Sequence, residues 1–333
     1  MGSANTQLID RYKRNLNYLR ISITDQCNLR CKYCNPPGET RKLDHKDILR
    51  YEEILRIVRI SIRLGVTKIR VTGGEPLIRK GCCEFLNELT KLPGLKDISL
   101  TTNGVLLTEY MDELIDAGIK RLNISLDTLS PKKYREITGV DAFDQVWAGI
   151  ESARQKGVHP IKINVVVLNG INDNELAELA ALSFKYPFHI RFIEYMPIGR
   201  EPDCDIAPLF YPEILSCIEK LGPIIPVAKQ SNNLDGPAIR YKFKGAPGEI
   251  GFISAVSQHF CNECNRLRLT ADGRVLPCLL SNIQEDIKTP LRSGMLDSDL
   301  AAVFFNAVRK KPFQHPVKFG LHDVAGPMIS IGG

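Results

Sequence analysis

The stretch 68–101, KIRVTGGEPLIRKGCCEFLNELTKLPGLKDISLT, contains the unit from which most of the chain is built. Its two ends, Lys68–Thr72 and Asp97–Thr101, are short runs in which apolar residues alternate with polar ones, which predicts strands. Between them, Cys82–Leu92 has the apolar spacing of an amphipathic helix. A strand, a helix and a second strand in this order predict two parallel strands joined by a helical crossover.

The same unit recurs along the first two thirds of the chain. Strands are predicted at Leu19–Thr24, Lys68–Thr72, Asp97–Thr101, Arg121–Leu126, Ile161–Leu168 and His189–Glu194. Helices are predicted at Tyr51–Leu64, Cys82–Leu92, Glu109–Ala117, Phe143–Lys156, Asn174–Tyr186 and Pro212–Leu221, with Gly65, Gly118 and Gly157 as C-caps. Six alternating units predict an α/β fold with a parallel sheet, either doubly wound or an incomplete (β/α)6 barrel.

Polar groups at the carboxyl ends of the strands favour the barrel. They fall at five strand ends: Asp25 with Cys27, residues 73–75, residues 101–103, Ser125 with Asp127, and Glu194 with Met196. A single polar strand end is usually just a solvated loop, but five in succession indicate a site on the rim where barrel enzymes build theirs.

The pattern breaks after Leu221, where Gly222–Pro237 is rich in Pro, Asn and Gly and is predicted to be a linker or long loop. Short strands follow at Ile239–Phe243 and Glu249–Ser254, and a helix at Asp297–Val308. We therefore predict an N-terminal extension (1–14), a partial barrel (15–225) and a smaller C-terminal α+β domain (226–333). The cysteines of that domain are expected to hold it together through a metal centre.

Composition is that of an ordinary globular protein, with 44% hydrophobic and 25% charged residues in 333. No apolar run is long enough for a membrane span, and residues 1–14 lack the apolar segment of a signal peptide, so a cytoplasmic protein is expected. The net charge of +6 is mild and no basic arm is present, which argues against nucleic-acid binding.

Ten cysteines in such a chain favour metal ligands over disulfides. Six of them form two groups of three. The other four, which we expect to pack as small hydrophobes, are Cys82, Cys83, Cys204 and Cys217.

The first group, Cys27-x3-Cys31-x2-Cys34, lies in the loop directly after the first strand. Three thiolates can hold three corners of a cuboidal iron–sulfur cluster and leave one iron open to a ligand. A zinc site completed from elsewhere in the chain is the alternative. The spacing, the position after the strand and Tyr33 between the last two cysteines favour iron–sulfur.

The loop sequence 27–34, CNLRCKYC, resembles the signature of the radical S-adenosylmethionine superfamily. The resemblance implies a 4Fe-4S cluster whose open iron binds S-adenosylmethionine and, when reduced, splits it to a 5′-deoxyadenosyl radical. Gly73-Gly74-Glu75-Pro76 resembles the glycine-rich motif that binds the methionine amine in that superfamily. By the same resemblance the pocket for S-adenosylmethionine is lined by Tyr33, Gly73, Gly74, Glu75, Ser125 and Met196.

The second group, Cys261-x2-Cys264-x13-Cys278, would by itself suggest zinc, with His259 as a plausible fourth ligand. However, the stretch 261–273, CNECNRLRLTADG, resembles the C-terminal motif of the molybdenum cofactor biosynthesis protein A family, the GTP 3′,8-cyclases. The resemblance runs from about Leu19 to Gly333. It implies a second 4Fe-4S cluster that contacts the guanine of GTP, and a C-terminal Gly332-Gly333 tail that reaches the active site.

A nucleoside triphosphate needs cations, and no Walker A motif is present to supply them. The resemblance assigns this role to residues at dispersed positions, with Arg266 and Arg268 predicted on one face of a strand and close to the reaction. The full set for GTP is Arg20, Arg70, Thr101, Lys162, Arg266 and Arg268. Three positions depart from the family pattern: Gln26, Asn35 and Ser330.

The implied partners are a flavodoxin-like or ferredoxin-like electron donor and, downstream, a cyclic pyranopterin monophosphate synthase. The sequence leaves open whether the chain forms a homodimer. Two other functions compete with the cyclase. One is a peptide-modifying radical enzyme with an auxiliary cluster, which usually carries more C-terminal cysteines; the other is a non-catalytic zinc or iron–sulfur scaffold.

Overall fold

The computed structural model describes residues 7–34, 43–196, 198, 207–228, 236–315, 324 and 328–332. The predicted positions Cys204, Asn35, Gly333 and the side chain of Ser330 lie outside the described part. No helix in the described part is both long and apolar enough to cross a membrane.

Six parallel strands form the centre of one sheet, in the order β1 to β6. They are β1 Tyr18–Ser22, β2 Lys68–Thr72, β3 Asp97–Thr102, β4 Leu122–Ser125, β5 Ile161–Val167 and β6 His189–Glu194. Helices follow each strand: α1 Tyr51–Arg63, α2 Cys82–Thr90, α3 Leu107–Asp116, α4 Pro131–Thr138, α5 Phe143–Gln155, α6 Leu176–Lys185 and α7 Tyr211–Glu219. The predicted incomplete (β/α)6 barrel is confirmed.

The C-terminal third extends both edges of this sheet. Its elements are β7 Ile224–Pro226, β8 Ile239–Phe243, β9 Glu249–Ile253, β10 Arg266–Leu269, β11 Arg274–Leu276, β12 Glu285–Asp286, α8 Lys288–Arg292, α9 Asp297–Arg309 and α10 Met328–Ile331. Strand β9 pairs in parallel with β6, and β10 pairs in parallel with β1. The described strands therefore make one open twelve-stranded sheet, and the second cysteine group lies beside the first strand of the barrel.

Side chains alternate between the two faces of the central strands, as the pleat requires. On β1, Leu19 and Ile21 are fully buried in the core that the sheet forms with its helices, whereas Arg20 lines an internal cavity. On β2, Ile69 and Val71 repeat the pattern on either side of Arg70. The apolar half of each strand thus builds the core, and the polar half builds the site.

The structure differs from the predictions in a few elements. The eight-residue α4 was not predicted because its sequence, PKKYREIT, is mostly polar, yet Ser130 caps it and Tyr134 is buried. The predicted linker 222–237 contains β7, which pairs with β8, so an unbroken loop is wrong there. Cys82 and Cys83 are buried at the start of α2, as expected of packing residues.

Candidate active site

The cysteine loop and the glycine-rich turn hold each other through their backbones. Gly74 N donates to Thr24 O at 2.7 Å, and Glu75 N donates to Gln26 O at 2.8 Å. A Cβ on Gly74 would lie 2.0 Å from Gln26 O, and one on Gly73 would lie 2.8 Å from Thr24 O. The two glycines are therefore required by the packing of the cysteine loop itself, in addition to any ligand that the turn binds.

Cys27, Cys31 and Cys34 line one cavity of about 120 Å³, together with Gly73 and Gly74. Burial and the neighbouring carboxylate of Asp127 raise the pKa of the Cys34 thiol to about 12, and burial and the other thiols raise that of Cys31 as well. Ionisation of these thiols therefore requires a positive charge in the pocket, which a bound metal group would supply.

The three sulfur atoms are not drawn together as the ligands of a single zinc ion would be. Thiolates on one tetrahedral zinc lie about 3.8 Å apart, given Zn–S bonds of about 2.3 Å. Among the described residues, neither Cys27, Cys31 and Cys34 nor the second cysteine group has all three sulfur atoms within 4.8 Å of one another. The predicted 4Fe-4S centre fits the residues present, because all three thiols face one cavity and three thiolates can hold three irons of a cuboidal cluster.

Glu75 is fully buried and does not line either cavity of the site. Its carboxylate accepts hydrogen bonds from Asn103 N at 2.6 Å, Thr102 Oγ1 at 2.8 Å and Leu77 N at 3.1 Å. Asn103 in turn places its amide 3.7 Å from Cys27 Sγ. Glu75, predicted to contact S-adenosylmethionine, is here an anchor that fixes the loop after β3 against the cluster loop.

Tyr33 is placed by Asp127 at the end of β4. The phenol donates to Asp127 Oδ2 at 2.6 Å, while Val166 N donates to Asp127 Oδ1 at 2.8 Å. Burial raises the pKa of Asp127 to about 6, although both hydrogen bonds act to lower it. Tyr33 and Ser125 line both the cluster cavity and a larger one beside it, and Met196 lines the larger cavity.

The larger cavity has a volume of about 240 Å³ and lies inside the partial barrel. Tyr33, Cys34, Thr101, Ser125 and Met328 belong to the walls of both cavities, so the two are adjacent. The second cysteine group lines the far side of the larger cavity, with members Cys261, Cys264 and Cys278. The structure therefore places one chamber between the two cysteine groups.

Cys264 differs from the first group in its electrostatics. Although burial opposes ionisation, Arg266 and Lys311 lower the pKa of its thiol to about 6. Lys311 is itself buried, and its Nζ lies 3.5 Å from Cys264 Sγ and 3.0 Å from Arg266 O. A thiolate held among cations is prepared to ligate a metal, so this second site also fits a metal group.

Arginines dominate the wall of the larger cavity. Arg268, Arg20 and Arg70 stand side by side in register on β10, β1 and β2. The described lining contains five arginines and one glutamate, so guanidinium groups far outnumber carboxylates in this wall. The glutamate, Glu194, is occupied by backbone groups, since it accepts from Tyr211 N and Val256 N.

The crowding of these cations is visible in their pKa values. Burial and Arg268 lower the pKa of Arg20 well below its usual value, and burial and Arg266 lower that of Arg268 to about 10. Thr101 Oγ1 and Asn164 Oδ1 are buried in the same wall without a hydrogen-bond partner in the described structure. A polyanion with hydroxyl groups would satisfy both features.

Lys162 is the one predicted GTP contact that the structure does not bring to the cavity wall. It is buried on β5, where burial and Arg191 lower the pKa of its ammonium to about 5. Arg191 and Asn164 do line the cavity and were missed. Both could have been found from strand pairing. Asn164 lies opposite Ser125 and Arg191 lies opposite Asn164 on neighbouring strands, so all three side chains share the face that lines the cavity.

The end of the chain also reaches this wall. Arg268 Nη1 donates to Gly332 O. Gly332 has φ of +76°, and a Cβ there would lie 2.9 Å from Thr72 and 3.0 Å from Ser22. Glycine is therefore needed at 332 for both its backbone conformation and its close approach to β1 and β2.

Comparison with known families agrees with this geometry. Residues 21–183 match the family described as the radical SAM superfamily, and residues 188–317 match the family described as Molybdenum Cofactor Synthesis C. The partial barrel and its cysteine loop thus define a radical S-adenosylmethionine protein.

Curated relatives are closely similar over nearly the whole chain. The GTP 3′,8-cyclase of Heliobacterium modesticaldum is 45% identical over 98% of this chain and 100% of its own. The enzyme of Pelotomaculum thermopropionicum is 46% identical over 97% of this chain and 99% of its own. The enzyme of Thermodesulfovibrio yellowstonii is 48% identical over 91% of this chain and 94% of its own. The chain belongs to the GTP 3′,8-cyclase family.

Solved structures support the fold alone. SuiB from Streptococcus suis, bound to S-adenosylmethionine, superposes with a TM-score of 0.63 at 16% identity and covers 90% of this chain and 69% of that one. Native anSMEcpe with bound AdoMet superposes with a TM-score of 0.59 at 17% identity and covers 90% of this chain and 81% of that one.

Proposed function

We propose that this chain cleaves S-adenosylmethionine at Cys27, Cys31 and Cys34 and uses the resulting radical to cyclise GTP to (8S)-3′,8-cyclo-7,8-dihydroguanosine 5′-triphosphate, the first step of molybdenum cofactor biosynthesis. The observation that carries the proposal is the single chamber between two cysteine groups, lined by an excess of arginine. Membership of the family supplies the substrate.

The first site is assigned to a 4Fe-4S cluster and S-adenosylmethionine. When bound, the reduced cluster supplies the electron that splits the sulfonium. The chain contributes placement: Asn103 and the glycine turn fix the cysteine loop, while Tyr33 and Ser125 line the passage toward the larger cavity. A passage enclosed by protein keeps a reactive carbon radical away from water and from other hydrogen donors.

The second site is assigned to a second 4Fe-4S cluster on Cys261, Cys264 and Cys278, next to the guanine of GTP. All three cysteines line the larger cavity, and so do Arg266 and Arg268, which follow Cys264 in the chain. The triphosphate, with about four negative charges, would lie against the row of arginines. The five arginines of the wall outnumber its one carboxylate, so the wall suits a polyanion.

Arg266 and Arg268 provide a direct test of the phosphate site. Replacing Arg266 with alanine should weaken GTP binding by about ten- to a hundredfold, or about 1.5–3 kcal/mol, because a charge-assisted hydrogen bond is lost. Arg268→Ala should weaken binding at least as much, since Arg268 also holds Gly332 O. Anaerobic equilibrium dialysis of GTP at two salt concentrations measures both effects.

The matched control is Arg274→Ala, an arginine on the adjacent strand β11 that pairs with Asp286 outside the cavity. It should bind GTP as the unaltered chain does. Unchanged GTP affinity in both Arg266→Ala and Arg268→Ala, with normal iron content, would show that the phosphates lie elsewhere.

The reaction also needs an external electron donor. Splitting S-adenosylmethionine takes one electron. The 5′-deoxyadenosyl radical then abstracts hydrogen from C3′ of GTP, and formation of the C3′–C8 bond leaves one unpaired electron on the nucleotide. A second electron and a proton convert this nucleotide radical to the product.

A flavodoxin-like or ferredoxin-like carrier is acidic. Exposed Arg30 precedes Cys31 in the chain, and its backbone N donates at 2.8 Å to the O of Thr138, the last residue of α4, which also carries exposed Arg135. We place the docking of the carrier there.

Charge reversal at this surface should separate the carrier from the chemistry. Arg30→Glu with Arg135→Glu should lower kcat/KM for a reduced acidic carrier by about tenfold or more at low salt, because electrostatic steering is lost. Turnover driven by dithionite should stay unchanged. Arg309→Glu, which reverses the charge of another exposed arginine, is the control and should keep the unaltered rate. Equal rates with the carrier in the unaltered enzyme, the double variant and the control would contradict the docking site.

The further partners follow from the product. A cyclic pyranopterin monophosphate synthase would consume it. The test of the function is metal content with ligand binding: an anaerobically reconstituted sample should hold iron and sulfide, and bind GTP more tightly than ATP. A sample that holds zinc without iron would favour the non-catalytic scaffold. Equal affinity for GTP and ATP would favour the peptide-modifying radical enzyme.

A further inference from the structure

Helix α4 forms part of the wall of the first cavity, the one lined by Cys27, Cys31 and Cys34. Tyr134 and Thr138, one turn apart on this helix, both line the cavity. Tyr134 is only 2% exposed, and its hydroxyl oxygen is buried without a hydrogen-bond partner in the described structure. Buried hydroxyl groups are nearly always hydrogen-bonded, so this one points to an acceptor bound in the cavity.

The helix is joined to the cysteine loop on both sides of Cys31. Arg30 N donates to Thr138 O at 2.8 Å, and Lys32 N donates at 3.0 Å to the preceding carbonyl of the helix. These two bonds use the last turn of α4 and fix Cys31 between them. Tyr134 lies one turn earlier on the same helix, so its ring and Cys31 reach the cavity from joined segments.

The electrostatics of Tyr134 also connect it with Cys31. Burial raises the pKa of the Tyr134 phenol, and among the charged neighbours a thiolate at Cys31 raises it most. The hydroxyl therefore keeps its proton beside a thiolate, and toward that sulfur it can act only as a donor.

Two other polar side chains of this cavity are already paired. Thr138 Oγ1 donates to Tyr134 O at 2.7 Å within the helix. Asp127 accepts from the Tyr33 hydroxyl and from Val166 N. Neither side chain bonds the Tyr134 hydroxyl, whereas the sulfurs of an iron–sulfur cluster accept hydrogen bonds from donors around them.

We propose that Tyr134 donates a hydrogen bond to the first cluster, at Cys31 Sγ or at a sulfide bonded to the same iron, and thereby raises the reduction potential of that cluster. A hydrogen bond to sulfur stabilises the reduced cluster more than the oxidised one, because the reduced cluster carries one more negative charge. Tyr134 thus makes the cluster easier for an electron carrier to reduce. The inference rests on the proposed first cluster and not on the identity of the nucleotide.

Tyr134→Phe removes the hydroxyl and keeps the ring. Anaerobically reconstituted enzyme with both clusters is titrated with reductant and followed by electron paramagnetic resonance, and the signal that S-adenosylmethionine alters is that of the first cluster. We expect the equilibrium constant for one-electron reduction of this cluster to fall by about tenfold in the variant, which lowers the midpoint by about 59 mV.

Tyr110→Phe is the matched control, because Tyr110 lies on α3 and lines neither cavity. Its midpoint should equal that of the unaltered enzyme.

The same variant should leave the chain without clusters intact. Because the Tyr134 hydroxyl has no partner within the described part of the chain, Tyr134→Phe should keep or raise the Tm of the cluster-free protein under anaerobic conditions. A hydroxyl that serves only the packing of α4 would give the opposite pair of results, a lower Tm and an unchanged midpoint, and these would overturn the inference.

The midpoint is measured both without and with S-adenosylmethionine. An unchanged midpoint in both conditions, with both clusters bound, would overturn the inference and leave the proposed function standing. A midpoint that falls only when S-adenosylmethionine is bound would also overturn it and would assign the hydroxyl to that ligand. A chain that takes up no iron would overturn the proposed function and this inference with it.

Discussion

Cys31→Ala should reduce formation of 5′-deoxyadenosine from S-adenosylmethionine to background, a loss of about a hundredfold or more. Cys27, Cys31 and Cys34 are the cysteines that line the first cavity, and three ligands are the minimum for a cluster with one open iron. The measurement is chromatographic quantification of 5′-deoxyadenosine under reducing, anaerobic conditions.

Cys217→Ala is the control, because Cys217 packs on the apolar core from α7 and faces neither cavity. It should retain full cleavage. A folded Cys31→Ala protein that still releases 5′-deoxyadenosine at the unaltered rate would remove the assignment of the first site.

Cys264→Ser should abolish formation of the cyclised nucleotide while leaving part of the cleavage of S-adenosylmethionine, uncoupled from product. Serine is a poor ligand for iron, and the substitution also leaves Lys311 and Arg266 without the thiolate that they face. The first cysteine group is untouched. Both 5′-deoxyadenosine and the cyclised nucleotide should be measured in the same reaction.

The ratio of the two products decides the interpretation. In the unaltered enzyme it should be close to one, and in Cys264→Ser the nucleotide should fall by about a hundredfold more than 5′-deoxyadenosine. Loss of both activities to the same extent, in a protein that keeps the iron of the first cluster, would contradict a separate role for the second site.

The local elements were largely predictable from sequence. The period-two alternation around Arg20 and Arg70 gave both the strands and the inward side chains, because one face of each strand had to be apolar. Exceptions have a local cause: α4 is short and mostly polar, so its pattern is weak, although Ser130 and Tyr134 give it a cap and a buried contact.

The long-range pairings were not predictable. Strand β10 lies beside β1 although about 250 residues separate them, and this pairing is what brings Arg268 next to Arg20. No periodicity encodes which strand edges meet. The arrangement of the C-terminal third around both edges of the barrel, and hence the single chamber, follows only from the structure.

The site residues also divide into those that the sequence reveals and those that only the folded chain brings to the site. The cysteines were evident from their spacing, whereas Arg191, Asn164 and His315 were missed because each lies in an ordinary local context and reaches the site through tertiary packing. Glu75 illustrates the reverse. It lies within a recognisable motif, but its carboxylate is used to anchor Thr102 and Asn103.

The most direct test of the central claim is turnover by the reconstituted enzyme. Anaerobic enzyme is supplied with S-adenosylmethionine, a reductant and either GTP or ATP, and both the nucleoside and nucleotide products are quantified. We predict about one 5′-deoxyadenosine for each cyclised guanosine triphosphate, and no cyclised product from ATP. Release of 5′-deoxyadenosine at the same rate with either nucleotide, and with GTP recovered unchanged, would contradict the account.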